Sequence, residues 1–218
     1  FEYWRVRVTN TTAEPRTISV FSYAELANEW NYRQDLENLQ YSQYTVLGRY
    51  RDGIIHRSNQ TRDESQDLWF TLVGAPVESF DIDRDAFLCG YRTQSAPRAV
   101  QDGVCTGSEP TGDNACASLH ARLELAPGET REVTYLLGMG HPDRPWRDLP
   151  PGREVVAEYG DPQRIEAELV AVKAEWAGHL TPLQVSTPDP DLDSMINVWH
   201  AYQTHMTFNW SRGVSLVE

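Results

Sequence analysis

In Tyr3-Trp4-Arg5-Val6-Arg7-Val8-Thr9-Asn10 the apolar side chains fall at 4, 6 and 8, while Arg5, Arg7 and Thr9 take the alternate positions. A period of two belongs to a half-buried β-strand, whose successive side chains point to opposite faces. Asn10-Thr11-Thr12-Ala13-Glu14-Pro15 is turn chemistry, and Thr17-Ile18-Ser19-Val20-Phe21-Ser22-Tyr23 then alternates again, with Ile18 and Val20 on one face. Two such runs across a short polar turn predict a hairpin.

The same rhythm continues through residues 43–50, 68–73, 117–125 and 131–139, with Ala126-Pro127-Gly128-Glu129 turning between the last two. Short strands with turn residues between them and no intervening helix predict a mainly β fold, an antiparallel β-sandwich over residues 1–140. Two stretches interrupt it: the polar residues 25–41 and a long loop expected over 81–114. Asp81, Asp83 and Asp85 have the DxDxD spacing of a calcium loop. Phe87-Leu88-Cys89 follows, however, without the glycine at the sixth position or the glutamate at the twelfth that such a loop needs.

The charge is lopsided, with 32 Asp and Glu against 19 Lys and Arg, a net of −13 over 218 residues. That field repels a polyanion, so nucleic acid is excluded as a partner, whereas a neutral sugar is not penalised. No apolar run approaches the roughly 20 residues that cross a bilayer, so no membrane partner is expected. The three cysteines, Cys89, Cys105 and Cys116, are an odd number. Cys105 and Cys116 are able to pair in principle, but free thiols in a reducing cytoplasm are the expectation. No CxxC or HxxxH spacing points to zinc, and no metal or organic cofactor is indicated.

Past the Pro-rich residues 141–160 the period changes. Asp161-Pro162 is an N-cap followed by proline at the first helical position, and Ile165, Leu169, Val172 and Trp176 step by four, three and four. Gly178 is placed to end this helix. A second helix starts after Pro188-Asp189-Pro190, capped by Asp189 or Asp191, with Leu192, Met195, Trp199, Tyr202 and Met206 as its apolar stripe. Residues 141–180 thus read as linker and linker helix, and 181–218 as the start of a helical domain that continues beyond Glu218. The stripe needs a partner, and residues 192–218 are expected to be poorly held.

The final stretch, Thr207-Phe208-Asn209-Trp210-Ser211-Arg212-Gly213-Val214-Ser215, sets an arginine between small neighbours just past an aromatic-rich helix. Such room lets a guanidinium meet an oxyanion at two points, although a surface salt bridge is the plainer use of an arginine.

The pattern N-x-W-x-x-Y-Q followed by T-F-N-W-S-R-x-x-S, over residues 197–215, resembles the start of the catalytic barrel in the cellobiose/chitobiose phosphorylases. These are inverting glycoside phosphorylases of glycoside hydrolase family ninety-four. Upstream, Ser19-Val20-Phe21-Ser22-Tyr23-Ala24-Glu25 resembles a sandwich strand of that family. Asp83-Arg84-Asp85-Ala86-Phe87-Leu88 and Gly90-Tyr91 resemble its long loop, and Leu125-Ala126-Pro127-Gly128-Glu129 its late hairpin.

The resemblance implies a supersandwich, a linker helix and the first helix of a truncated α/α barrel. It implies a reaction in which inorganic phosphate, as co-substrate, attacks the anomeric carbon of a β-linked disaccharide and an aspartic acid protonates the leaving oxygen. In an inverting hydrolase a second carboxylate activates water; phosphate is already a nucleophile, and a cation to seat it takes that place. The family's phosphate-binding arginine falls on Arg212. The catalytic aspartic acid lies downstream, so this chain holds no catalytic residue and is expected to be inactive alone. The family's homodimer implies that Gln40 and Tyr41, in Asn38-Leu39-Gln40-Tyr41, reach the partner subunit's acceptor-sugar site. Cellobiose-type members carry arginine where this chain has Tyr41, which turns the expectation towards the chitobiose or cellobionic acid branches. The alternative is a carbohydrate-binding or dimerisation sandwich without catalysis, which leaves the helices and the Ser211-Arg212 motif unexplained.

Overall fold

The computed structural model describes residues 1–26, 46–59, 67–112, 114–140 and 152–210. They form two compact units, Phe1–Asp161 and Pro162–Glu218. The first holds strands β1 (Glu2–Thr9), β2 (Arg16–Phe21), β3 (Ala24–Glu25), β4 (Val46–Arg51), β5 (Ile54–Asn59), β6 (Asp67–Val73), β7 (Ser79–Asp83), β8 (Ala115–Leu125) and β9 (Thr130–Gly140). Helices α1 (Arg84–Leu88), α2 (Arg98–Asp102) and α3 (Arg153–Tyr159) complete it.

The strands make two antiparallel sheets packed as a sandwich. One has the order β1-β9-β6-β5-β4. In the other, β2 and β3 line one edge of β8 and β7 lines the other, since Phe21 and Ser79 both pair with His120. Leu68, Phe70 and Leu72 of β6, with Val133 and Tyr135 of β9, meet Ala117, Leu119, Ala121, Leu123 and Leu125 of β8 in the central core. Each large apolar side chain buried there contributes about 1.5–3 kcal/mol before the cost of ordering it.

The expected hairpin of β1 and β2 does not form. β1 pairs with β9, from Glu2↔Leu137 to Thr9↔Thr130, and β2 pairs with β8, from Arg16↔Leu125 to Phe21↔His120. The turns at 10–15 and 126–129 therefore both cross from one sheet to the other. Alternation reports which face of a strand is buried, not which strand lies beside it. Asn10 settles the matter, because it ties the two corners together. Its N–H donates to Glu129 O (2.9 Å) and its carbonyl accepts from Gly128 N (2.8 Å). Its Nδ2 reaches Glu14 O (2.8 Å), Leu125 O (3.1 Å) and Ala126 O (3.1 Å), and its Oδ1 accepts from the Thr12 N–H and hydroxyl.

Both outer faces of the sandwich are partly covered. On the β6 side, Ile54, Trp69 and Leu136 pack against Val155, Val156 and Tyr159 of α3. A Cβ at Gly138 or Gly152 would overlap the Trp69 indole, and Gly152 has φ +81°, a conformation that favours glycine. On the β8 side, Phe87, Leu88 and Ala99 of the two short helices pack with Cys105 and Cys116. The expected loop at 81–114 is thus largely folded, as the end of β7, α1 and α2. The Asp83 carboxylate caps α1, accepting from Asp85 N (2.8 Å) and Ala86 N (3.3 Å).

In the second unit, α4 (Pro162–Leu180) runs through Gly178 rather than ending there. Glycine inside a helix costs only about 1 kcal/mol relative to alanine. Asp189, not Asp191, caps α5 (Pro190–Ser194), accepting from Asp191 N (3.0 Å) and Leu192 N (3.4 Å). A π-helical stretch, Met195–His200, follows, and then α6 (Ala201–Trp210). Four residues of the predicted stripe are exposed: Leu192 (45%), Met195 (49%), Trp199 (58%) and Tyr202 (39%).

Candidate functional site

The residues to which the sequence gives a binding role, Gln40, Tyr41 and Arg212, lie outside the described residues. What the structure supplies is the framework on which the chain enters and leaves those positions.

On the sandwich side, β3 joins β8 through Ala24↔Ala117 and Glu25↔Cys116, and Leu26 N extends the ladder to Ala115 O at 3.1 Å. Beside it, one carboxylate oxygen of Glu25 gathers three donors: the Tyr23 hydroxyl at 2.8 Å, Arg84 Nε at 3.2 Å and Gln94 Nε2 at 3.4 Å. The Tyr23 bond, followed by Arg84, holds the Glu25 carboxyl below the usual carboxylate range. Burial, with the same carboxylate beside it, pushes the Tyr23 hydroxyl up to about 12. Tyr23 also stacks on Phe87, with ring centroids 5.2 Å apart. An ionised carboxylate holding three donors is a fixed point of structure and a poor general base.

The Asp81-Asp83-Asp85 group is likewise structural. Asp81 is fully buried, and its Oδ1 accepts from the N–H and hydroxyl of both Thr106 and Ser108 at 2.6–3.1 Å. Asp83 is the α1 cap, and Asp85 lies 3.6 Å from Arg84. Among the described residues no three His, Cys, Asp or Glu side chains gather as a metal site. Ser79 Oγ lies 3.1 Å from His120 Nδ1, but it also accepts from Cys105 N at 3.0 Å, and Asp81 is turned towards Thr106 and Ser108. With Ser79 Oγ engaged by Cys105 N and, among the described residues, no carboxylate on His120, the pair is a structural contact and not a nucleophile with its base. All three cysteines are free thiols, and burial raises Cys105 to about 11 and Cys116 further still. Neither buried thiol is a nucleophile at neutral pH.

The second unit carries the more telling geometry. The side-chain amide of Asn197, inside the π-helical stretch, bonds both groups of one backbone residue. Val185 N donates to Asn197 Oδ1 at 2.8 Å, and Asn197 Nδ2 donates to Val185 O at 2.8 Å. Two residues on, Thr187 N donates to Asp193 Oδ1 at 2.8 Å. The connector between α4 and α5 is therefore laced to the helix that follows it. α6 in turn leans on α4 through Trp176, whose ring meets Tyr202 at 5.5 Å and His205 at 5.2 Å, while His179 and His205 lie 4.3 Å apart. Asn209 Nδ2 donates to His205 Nε2 at 2.8 Å. Arg212 follows two residues after the end of α6.

The sequence gives Asn197 only its place at the head of the N-x-W motif, and Asp193 only the part of a helix-start carboxylate, a partner for the cap and the helix dipole. On an ordinary α-helical count Asn197 falls opposite the Leu192-Met195-Trp199-Tyr202-Met206 stripe, where a carboxamide draws no notice. A polar side chain on a helix face is ordinarily solvated, and its bond to a backbone twelve residues upstream shows only once the connector is folded.

A two-sheet antiparallel sandwich followed by C-terminal helices is the class of architecture these elements define. Residues 1–161 match the glycosyl hydrolase 94 supersandwich domain, and residues 175–218 match the glycosyl hydrolase 94 superfamily catalytic domain. The chain belongs to the glycosyl hydrolase 94 family. It is 34% identical, over all 218 residues, to the N,N'-diacetylchitobiose phosphorylase of Vibrio proteolyticus, and covers 26% of that protein. It is 32% identical to the protein of the same name in Vibrio furnissii, again over its whole length and 26% of the relative. With the cellobionic acid phosphorylase of Neurospora crassa it shares 25% identity over 94% of its length and 25% of the relative's. The chain thus spans about a quarter of the length of these relatives.

Proposed function

We propose that this chain is the supersandwich and the leading helices of an inverting glycoside phosphorylase. The enzyme splits a β-linked disaccharide with inorganic phosphate, giving an α-sugar 1-phosphate and a free sugar. One observation carries the reading: the sandwich match over 1–161 is followed in order by the catalytic-domain match over 175–218. The two relatives above 30% identity make N,N'-diacetylchitobiose the first substrate to test.

In this reading a phosphate oxygen forms the new bond to the anomeric carbon as the glycosidic C–O bond breaks on the opposite face. The leaving oxygen takes its proton from an aspartic acid outside this chain. Arg212 seats the phosphate, and a fixed guanidinium aimed at developing charge lowers the barrier without reorganisation. Gln40 and Tyr41 reach the acceptor-sugar site of the partner subunit in a homodimer. The Glu25 hub at the base of that segment and the helix leading to Arg212 are consistent with both roles.

The test is phosphorus NMR on the full-length enzyme with N,N'-diacetylchitobiose and phosphate. An α-anomeric sugar 1-phosphate is expected, and Arg212→Ala should raise the KM for phosphate by tenfold or more, about 1.4 kcal/mol. A β-anomer, hydrolysis without phosphate incorporation, or an unchanged phosphate KM in the variant would overturn the reading.

A further inference from the structure

We propose that Asn197, with the π-helical stretch around it, is a positioning residue that sets the angular register of α6, the helix that leads in sequence into Arg212. The inference rests on the phosphate role proposed above.

The stretch Met195–His200 lies between two α-helical pieces, and the residues capping it are themselves helical, with Ser194 at φ −60°, ψ −43° and Ala201 at φ −65°, ψ −45°. The helix is therefore continuous and does not bend away into a loop. Closing i→i+5 rings uses about one more residue per turn than the α-helix does. At 3.6 residues per turn, that one residue turns everything after His200 by about 100° relative to an uninterrupted α-helix. α6 then carries the offset through ten residues to Trp210.

A π-turn is the less favourable local choice, so it persists where something outside the helix selects it. Asn197 meets that requirement. Its amide meets both backbone groups of Val185, Oδ1 accepting from the N–H and Nδ2 donating to the carbonyl, each at 2.8 Å. Aspartate at this position keeps only the acceptor, and alanine keeps neither. The connector it grips is itself fixed, through Thr187 N to Asp193 Oδ1. The clamp therefore ties the π-helical stretch to a connector that is itself bonded to α5. α6 is held again from the side by Trp176 against Tyr202 and His205.

The test compares Asn197→Ala, Asn197→Asp, a deletion of Val198 that restores an uninterrupted α-helix, and Arg212→Ala, all in the full-length enzyme. For Asn197→Ala and the deletion, phosphate KM should rise about tenfold or more while disaccharide KM stays within about twofold, with Asn197→Asp intermediate. In the 218-residue chain, hydrogen exchange at the Val185 amide should quicken in Asn197→Ala. An unchanged phosphate KM in Asn197→Ala, beside a raised one in Arg212→Ala, sinks the positioning role and leaves the functional reading standing. An unchanged phosphate KM in Arg212→Ala sinks both. A Val185 amide that exchanges no faster in Asn197→Ala removes the clamp itself, even if the deletion variant fails to fold.

Discussion

Replacing Asn10 with alanine withdraws a side chain that makes five hydrogen bonds at once, donating to three backbone carbonyls and accepting from both donors of Thr12. Asn10 is only 4% exposed, so water does not easily take its place. Leaving buried partners unmet costs roughly 1–3 kcal/mol each. We expect Asn10→Ala to lose about 3 kcal/mol in urea unfolding and Thr12→Ala about 1 kcal/mol; equal losses would mean that the corner is held elsewhere. A second residue-scale prediction concerns pH. Burial, helped by Arg51, lowers His56 to about 4 from 6.5, so the unfolded chain binds more protons between those values and stability falls as pH drops from 6.5 to 4. Burial raises Asp67 to about 6 from 3.8, so there the folded chain binds more protons and stability rises as pH drops from 6 to 3.8. Each effect is on the order of 2–3 kcal/mol, and the two oppose. Asp67→Asn should therefore leave a chain whose melting temperature falls more steeply than wild type between pH 6 and pH 4. Parallel melting curves for the two proteins would contradict this assignment.

Among the elements, α3 depends on the glycines beneath it. A methyl group at Gly152 meets the Trp69 indole and also strains a φ of +81°. Gly152→Ala should release α3, speeding exchange at Val156 N and Gly160 N, whose acceptors are Gly152 O and Val156 O, while β6 amides keep their protection. Joint loss of protection in α3 and β6 would show instead that helix and sheet are one cooperative body. Element by element, the sequence was an uneven guide. β1, β8 and β9 were readable because one face is apolar or a Pro-Gly turn bounds them, and β6 because Leu68-Trp69-Phe70-Thr71-Leu72 is apolar almost throughout. β5 was not, since Ile54, Ile55, His56 and Arg57 are buried on both faces and no alternation survives. α1 and α2, five residues each, are too short to display a helical period. Which strands pair was hidden for a different reason, because a period of two names a face and leaves the neighbour open. The π-helical stretch was hidden too, since Leu192, Met195, Trp199, Tyr202 and Met206 fit an ordinary α-helical count.

At the scale of the molecule, the proposed site rests on its motifs alone. Ser211-Arg212 and Asn38-Leu39-Gln40-Tyr41 named themselves by resemblance, and the structure contributes the Glu25 hub and the Asn197 clamp that precede them. We expect the 218-residue chain alone to give no sugar 1-phosphate from N,N'-diacetylchitobiose and phosphate, because the family resemblance assigns the proton donor of the proposed reaction to none of its aspartates. Turnover above a protein-free blank would contradict that. The seam between β1 and β9 has a further consequence, for synthesis. Thr9 meets Thr130 across 121 residues, so at about 5–20 residues per second the first strand waits on the order of ten seconds for its neighbour to be made. Throughout that delay its backbone groups are open to any other nascent chain. Arg5 and Arg7, which converge on Glu132 in the finished sheet at 2.7 and 2.8 Å, are until then two like charges on a waiting ribbon, and they repel a second copy of it.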